Sequence, residues 1–387
     1  MKIETGRDFS FCPVFYMLCK GDRAMSGVRR KKVRWWLIPV GIVALLIVTV
    51  VGYVLYVVTS YGRIEDKLSL DVDGKSKNTA FILDKEYTAV LYNIGFGAYT
   101  PDYTFFMDGG TQSWAKSKES VIDCINGDIA LLNEYQPDVI LLQEVDFDST
   151  RSYHVDEVSQ ICSAFGEMSH TLAVNYHSPF LFYPLTQPHG ASNAGLLTLS
   201  NVQIQSGIRR SLPIAEGMSK YIDLDRCYSI NRTNVENGRE LVWINVHTSA
   251  YGVEGDLQKQ QLTMLFDDMK AEYEKGNYVI CGGDFNHDFT GNSKEVFNET
   301  VPEEYTWAAA FPDELIPEHF GKLTDYAGGM TTPSCRNADK PYDENNFTLT
   351  VDGFIVSDNV IPSYMNVIDN QFLYSDHNPV ELKFKLQ

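Results

Sequence analysis

From Trp35 to Gly62 no residue carries a charge, and Leu37 to Val58 is almost wholly apolar. A helix over that stretch is long enough to cross a hydrocarbon core of about 30 Å, and in lipid only a helix or a closed barrel satisfies its own backbone polar groups. Trp35, Trp36, Tyr53 and Tyr56 lie near its two ends, where aromatic rings favour the interface. Arg29, Arg30, Lys31, Lys32 and Arg34 come directly before it, so the positive-inside rule keeps that end cytoplasmic and sends the chain beyond the helix outside. A cleaved leader ending near Val58-Thr59-Ser60 fits less well, because the apolar run exceeds the roughly 7–15 residues of a leader's core. The chain is therefore expected to comprise a basic cytoplasmic segment (1–34, with Met25 a second possible start), a single transmembrane helix (35–60), a juxtamembrane linker (61–86) and an extracellular domain (87–387).

The net charge of −19 combines two parts of opposite sign. Residues 1–58 carry 9 Lys/Arg against 3 Asp/Glu, leaving 23 against 48 for the rest. Nucleic-acid affinity rests largely on Lys/Arg neutralising phosphates. A domain this acidic, with no basic run after residue 63, is a poor non-specific binder of long nucleic acid, although a local patch assembled in three dimensions would escape this argument. Of the seven cysteines, Cys124, Cys162, Cys227, Cys281 and Cys335 fall in the outer part; an odd count without CxxC spacing reads as buried thiols rather than a disulfide framework.

Beyond residue 86, apolar runs with strand character alternate with helical spacing. Strands are predicted over 87–94, 139–142, 170–176, 194–199, 227–232, 240–246, 278–281, 349–356 and 380–384, and helices over 116–135 and 255–275. The segments 178–192 and 324–346 read as long loops, a common location for function. One α/β domain of about 300 residues fits this order.

Polar residues recur where these strands end. Asn93 follows Ala89–Tyr92, Glu144 follows Leu141-Leu142-Gln143, and Asn245 and His247 close Leu241–Val246. Asp284 and Asn286 follow Ile280–Gly283, Asp352 lies within 349–356, and Asp376-His377 precedes the last strand. Strand ends are where α/β proteins build active sites. Hard carboxylate ligands suit Mg²⁺ or Mn²⁺, which could neutralise charge on a phosphoryl oxygen, and a nearby histidine could contact phosphate or move a proton. Arg151 and Arg336, with Asn245, are candidate substrate contacts, the arginines through bidentate binding of phosphate; lone arginines are also common surface residues. His189, on the first long loop, is a candidate for the wall of the cleft.

The ordered set Tyr92-Asn93-Ile94, Gln143-Glu144-Val145-Asp146, Asn245-Val246-His247, Gly283-Asp284-Phe285-Asn286, Val351-Asp352-Gly353-Phe354 and Ser375-Asp376-His377 resembles the endonuclease/exonuclease/phosphatase superfamily. That superfamily includes pancreatic-type DNases, apurinic endonucleases, inositol polyphosphate 5-phosphatases and bacterial sphingomyelinases. The resemblance spans about residues 87–387 and is strongest to bacterial metal-dependent hydrolases. It implies a four-layer α/β sandwich of two mixed sheets. It also implies that Glu144 is the principal metal ligand with Asn93 beside it and Asp376 completing the site. Asp284 would deprotonate the attacking water, and Asn286 would hold phosphate or water. His377, oriented by Asp352, would contact the scissile phosphate, and His247 would be a phosphate contact or leaving-group acid. Some nucleases carry a further acid after the first Asn; here only Asp102 or Asp108 could substitute, so one metal is expected.

The expected activity is a Mg²⁺-dependent phosphohydrolase, in particular a phosphodiesterase acting on a lipid head group or small phosphoester. An extracellular nuclease of the same family and a catalytically inactive binding domain are the alternatives. No residue of the expected constellation is missing, which favours an enzyme.

Overall fold

A computed structural model of the chain describes residues 34–60, 62–215, 224–250, 255–298, 308–324 and 330–387. Of the basic run before the apolar segment, only Arg34 is among them. The apolar segment forms α1 (Leu37–Ser60), a 24-residue helix long and apolar enough to cross a membrane, with nearly all its side chains exposed. The chain divides into two compact units at Val54/Leu55, and the second contains every strand described.

In chain order the strands are β1 (Leu68–Leu70), β2 (Tyr87–Asn93), β3 (Val139–Asp146), β4 (Ser169–His177), β5 (Asn193–Ser200), β6 (Ile204–Ser211), β7 (Cys227–Asn234), β8 (Glu240–His247), β9 (Tyr278–Asp284), β10 (Phe320–Lys322), β11 (Cys335–Arg336), β12 (Thr348–Leu349), β13 (Asp352–Ser357), β14 (Val360–Val367) and β15 (Val380–Leu386). The helices after α1 are α2 (Lys118–Tyr135), α3 (Glu157–Ala164), α4 (Gly255–Glu274) and the short α5 (Ser293–Phe297). One large sheet runs β1-β6-β7-β8-β9-β13-β10 and the other β14-β15-β2-β3-β5-β4. Each contains one parallel pair, β8–β9 and β2–β3, among antiparallel neighbours. The result is the expected α/β sandwich of two mixed sheets.

Period-two alternation explains the layers. In β2, Ala89 and Leu91 point into the core shared with Trp243 of β8 and Phe354 of β13. Val90 and Tyr92 point the other way, onto Val121, Ile125 and Leu132 of α2 and Ile161 of α3. Because both faces are covered, these strands read as continuous apolar runs rather than alternating ones. Leu262, Leu265, Phe266 and Met269 give α4 its buried stripe. Ser117 caps α2 by accepting from the Ser120 N–H, which places its start two residues later than its spacing suggests.

Residues 63–86 carry one strand and pack onto the domain as well as connecting to it. β1 pairs with β6, Asp73 bridges His170, and Phe81 is fully buried against Trp243 and Phe384. The expected strand 349–356 is two: β12 ends at Leu349 and β13 starts at Asp352. Between them the N–H of Val351 turns aside to Ser334 Oγ.

Candidate active site

The parallel pairs aim their C-terminal ends at a common rim. Asn93 stands beside Gln143 in β2–β3, and His247 beside Asp284 in β8–β9. β13 runs antiparallel to β9 and starts with Asp352 directly opposite Asp284. Two backbone features set the aim. Gly283 has φ 153°, and a Cβ there would lie 2.0 Å from the Val246 carbonyl oxygen, so glycine alone lets β9 approach β8 this closely. Glu144 sits in a register break of β3 with φ 55°, a bulge that turns its carboxylate out of the sheet and into the cleft.

Asp284 is the hub. Its Oδ2 accepts from Asn93 Nδ2 at 3.0 Å and lies 3.3 Å from His247 Nε2 and 3.8 Å from His377 Nε2. Its Oδ1 accepts from the Asn286 backbone N–H at 2.9 Å. His377 Nδ1 bonds Asp352 Oδ2 at 2.7 Å, and the same oxygen accepts from Ser334 Oγ at 2.7 Å. Asn93 also reaches toward Glu144 Oε1 at 3.5 Å, so this amide links the acidic and histidine sides of the cleft. Ser375 Oγ ties Asp376-His377 to the Asn93 carbonyl at 2.7 Å.

Burial pushes the Asp284 carboxyl up to about 7, helped by the charge of Asp352 and opposed by His377 and the bonds from Asn286 and Asn93. At His377 burial disfavours the cation, yet Asp352 outweighs it and holds the imidazole well above its ordinary value. His247 goes the other way: burial first, then the positive charges of Arg226, His377 and Arg151, hold it neutral. Burial also lifts Asp376 to about 7, with Glu144 adding to the rise.

The cleft walls sort the remaining candidates. Arg151 lines the cleft but is clamped by Asp146 through Nε at 3.1 Å and Nη2 at 2.8 Å, with Glu144 3.9 Å away; its guanidinium stacks 3.8 Å from the Phe96 ring centroid. Arg336 lines it too, buried, with Nη2 donating to the Thr100 carbonyl at 3.2 Å. Asn245 is not a substrate contact. It is fully buried between the sheets, accepting from Gln143 Nε2 at 2.7 Å and donating to the Leu142 and Leu197 carbonyls. His189 stands in the wall and Asp108 lines the cleft, whereas Asp102 pairs at the surface with Lys116.

Arg226 is a cleft residue that sequence reasoning misses. It lines the cleft only 8% exposed, and its Nη1 is buried without a hydrogen-bond partner among the described residues. A lone arginine before a strand, in Asp225-Arg226-Cys227, gives no periodic or motif signal.

The donor set suits a hard divalent cation. Glu144 and Asp376 offer carboxylate oxygens at the cleft, with the Asn93 amide adjoining. Asp284, Asp352 and His377 also lie close enough to hold an ion together. A protonated His377 already bonded to Asp352 is a poor ligand, so the Glu144 side fits better.

A two-sheet sandwich with this acid–histidine centre at converging strand ends defines a metal-dependent phosphoric ester hydrolase. The chain belongs to the endonuclease/exonuclease/phosphatase family, whose model matches residues 92–377. No curated protein sequence matches it. The fold is shared with an endonuclease/exonuclease/phosphatase from Beutenbergia cavernae DSM 12333, at TM-score 0.51 and 16% identity over 78% of this chain and 72% of that one. It is shared with the Bacteroides vulgatus family member at TM-score 0.50 and 13% identity, over 79% and 100% of the two chains. ANGEL2, a 2′,3′-cyclic phosphatase solved with adenosine-2′,3′-vanadate, aligns at TM-score 0.50 and 13% identity over 84% and 99%.

Proposed function

We propose that the chain is a membrane-anchored, outward-facing phosphodiesterase that uses Mg²⁺, with Mn²⁺ as a substitute. The observation that carries this reading is the position of Asp284: buried, poised near pH 7, and held between Asn93 and His247 across the cleft from Glu144. Glu144, Asn93 and Asp376 would hold the ion, which when bound neutralises charge on a phosphoryl oxygen. Asp284 takes a proton from the attacking water, which Asn286 helps to place. The water oxygen bonds to phosphorus as the bond to the leaving alkoxide breaks in line, and the alkoxide takes its proton from solvent water. His377, kept cationic by Asp352, faces the phosphoryl oxygens. His247, kept neutral, serves as a hydrogen-bond partner on the leaving-group side rather than as a second cation. Arg226 contributes uncommitted donors for a phosphoryl oxygen.

The basic run before α1 and the apolar character of α1 support a cytoplasmic N-terminus, a single span and a catalytic domain outside. Protease added to intact cells then releases the domain; protection would overturn the orientation. Catalysis is tested with the full chain in detergent, Mg²⁺ and bis(p-nitrophenyl) phosphate. Asp284→Asn should lower kcat by about a thousandfold or more while leaving the melting temperature near that of the parent. Undiminished turnover in that variant would refute the mechanism.

A further inference from the structure

Large apolar side chains at a surface are ordinary singly but informative when they gather at a functional opening. Met107 lines the cleft and is 59% exposed; Tyr183 is 71% and Leu185 85% exposed, on the loop whose His189 forms part of the cleft wall. These residues belong together: the Tyr183 ring packs edge-on against Phe106, next to Met107, with centroids 5.8 Å apart. The loop is pinned, not loose. Leu181 and Gly190 exchange backbone hydrogen bonds, Trp114 Nε1 donates to the Pro188 carbonyl at 2.7 Å, and Ser113 N–H donates to Gln187 Oε1 at 3.1 Å.

The point where the chain enters the domain is held by Asp225, the residue before a cleft-lining arginine. Only Tyr61 and Gly62 separate Ser60, the last helical residue, from Arg63, which is already bonded to the Leu212 carbonyl. Arg63 Nε lies 3.8 Å from Asp225 Oδ1, and the Ile64 N–H donates to Asp225 Oδ2 at 3.4 Å. The next residue, Arg226, lines the cleft. On the anchored reading, a connection of three peptide steps spans at most about 10 Å, which limits how far Arg63 can stand from the end of the apolar helix.

We propose that the rim of Met107, Tyr183 and Leu185 docks into the outer interface of the bilayer and that the cleft draws its phosphoester from it, a lipid head group rather than a soluble ester or polynucleotide. This rests on the anchored-hydrolase reading above. The domain is too acidic, with 23 Lys/Arg against 48 Asp/Glu after residue 58, to be drawn to anionic lipid by charge. Insertion of apolar side chains into a zwitterionic surface is the mode that fits, with tyrosine at head-group depth.

The test uses the full chain in phosphatidylcholine vesicles with and without brominated acyl chains. Leu185→Trp should add fluorescence that bromine quenches, while Lys270→Trp, on the exposed face of α4, should add fluorescence that it does not. Quenching of the native Trp35 and Trp36 reports the anchor separately. Leu185→Trp emission that survives while Trp35 and Trp36 are quenched overturns the docking. In the activity arm, Tyr183→Ser/Leu185→Ser should slow hydrolysis of vesicle phospholipid about tenfold or more, as expected from losing two inserted apolar side chains, with bis(p-nitrophenyl) phosphate turnover unchanged. Equal effects on both substrates also overturn it. Should the parent hydrolyse neither, the hydrolase reading fails while the quenching arm still decides the docking.

Discussion

Asp284 and Asp352 stand directly opposite each other across the β9–β13 ladder, yet they do different work. Asp352 bonds His377 Nδ1 at 2.7 Å and sustains its positive charge. Asp284, pushed up to about 7 by burial and by Asp352, is left to exchange a proton. In the mechanism proposed above, two carboxylates separated by environment rather than by type would serve as one orienting group and one base.

Asp352→Asn therefore acts through His377. The amide no longer sustains the imidazolium or fixes the ring, so kcat should fall about a hundredfold or more with KM nearly unchanged. Ser334, which donates to the same oxygen, limits the structural damage, and the melting temperature should move little. Steady-state kinetics beside a thermal melt check both. A rise in KM alone would place His377 in ground-state binding only.

Much of this arrangement was legible in the sequence, because a polar residue ending an apolar run is visible and the strands that carry Asn93, Glu144, His247 and Asp284 are such runs. What the sequence hid depends on the third dimension. Asn245 has the same strand-end signature as His247 and shares its face of β8, but it lies two residues deeper, between the sheets, where Gln143 satisfies it, and only the last residue of the strand reaches the cleft. β1, three residues long, is too short to show alternation, so residues 63–86 looked like a linker. Arg226 shows its role only in three dimensions, where its guanidinium lies in the cleft with a buried nitrogen that has no partner among the described residues.

Metal dependence should track Glu144. Chelation by EDTA should abolish turnover, and added Mg²⁺ should restore it. If Glu144 holds the ion as proposed, Glu144→Gln removes a charged ligand from the open side of the cleft, and the Mg²⁺ concentration for half-maximal activity should rise by about tenfold or more. Titration of activity with Mg²⁺ in parent and variant decides the matter; an unchanged midpoint would move the ion away from Glu144.

Arg226 separates charge from shape. Arg226→Gln should raise KM for a phosphodiester and weaken inhibition by inorganic phosphate, each by about tenfold, while Arg226→Lys recovers part of the loss. A merely structural arginine would instead lower the melting temperature and leave the phosphate inhibition constant alone.

Gly283→Ala should damage fold and site together. The added methyl would meet the Val246 carbonyl oxygen at 2.0 Å in a backbone region that side chains rarely adopt. β9 must then shift from β8, which also parts His247 from Asp284. A loss of about 3 kcal/mol or more is expected, with kcat falling beyond what the unfolded fraction explains. Denaturant unfolding and activity measured on the same preparation test this.

Acid should destabilise the domain through its buried histidines. Burial, aided by Arg151, holds His189 neutral with its pKa lowered to about 3, and His247 and His287 are shifted in the same direction. The unfolded chain takes up a proton near pH 6.5 that the folded form refuses, so this contribution is complete above pH 6.5 and lost as pH falls toward 3. His189, unprotonated through that window in the folded form, costs about 1.4 kcal/mol per pH unit within it. Buried Asp128 and Glu157, both raised, work in the opposite sense above the ordinary carboxylate range, so a single variant is needed to isolate the effect. His189→Gln removes one titrating group, and its unfolding free energy between pH 7.5 and 5.5 should fall less steeply than the parent's. Parallel slopes would mean that His189 is protonated as readily folded as unfolded, and that the cleft wall is wetter than its burial indicates.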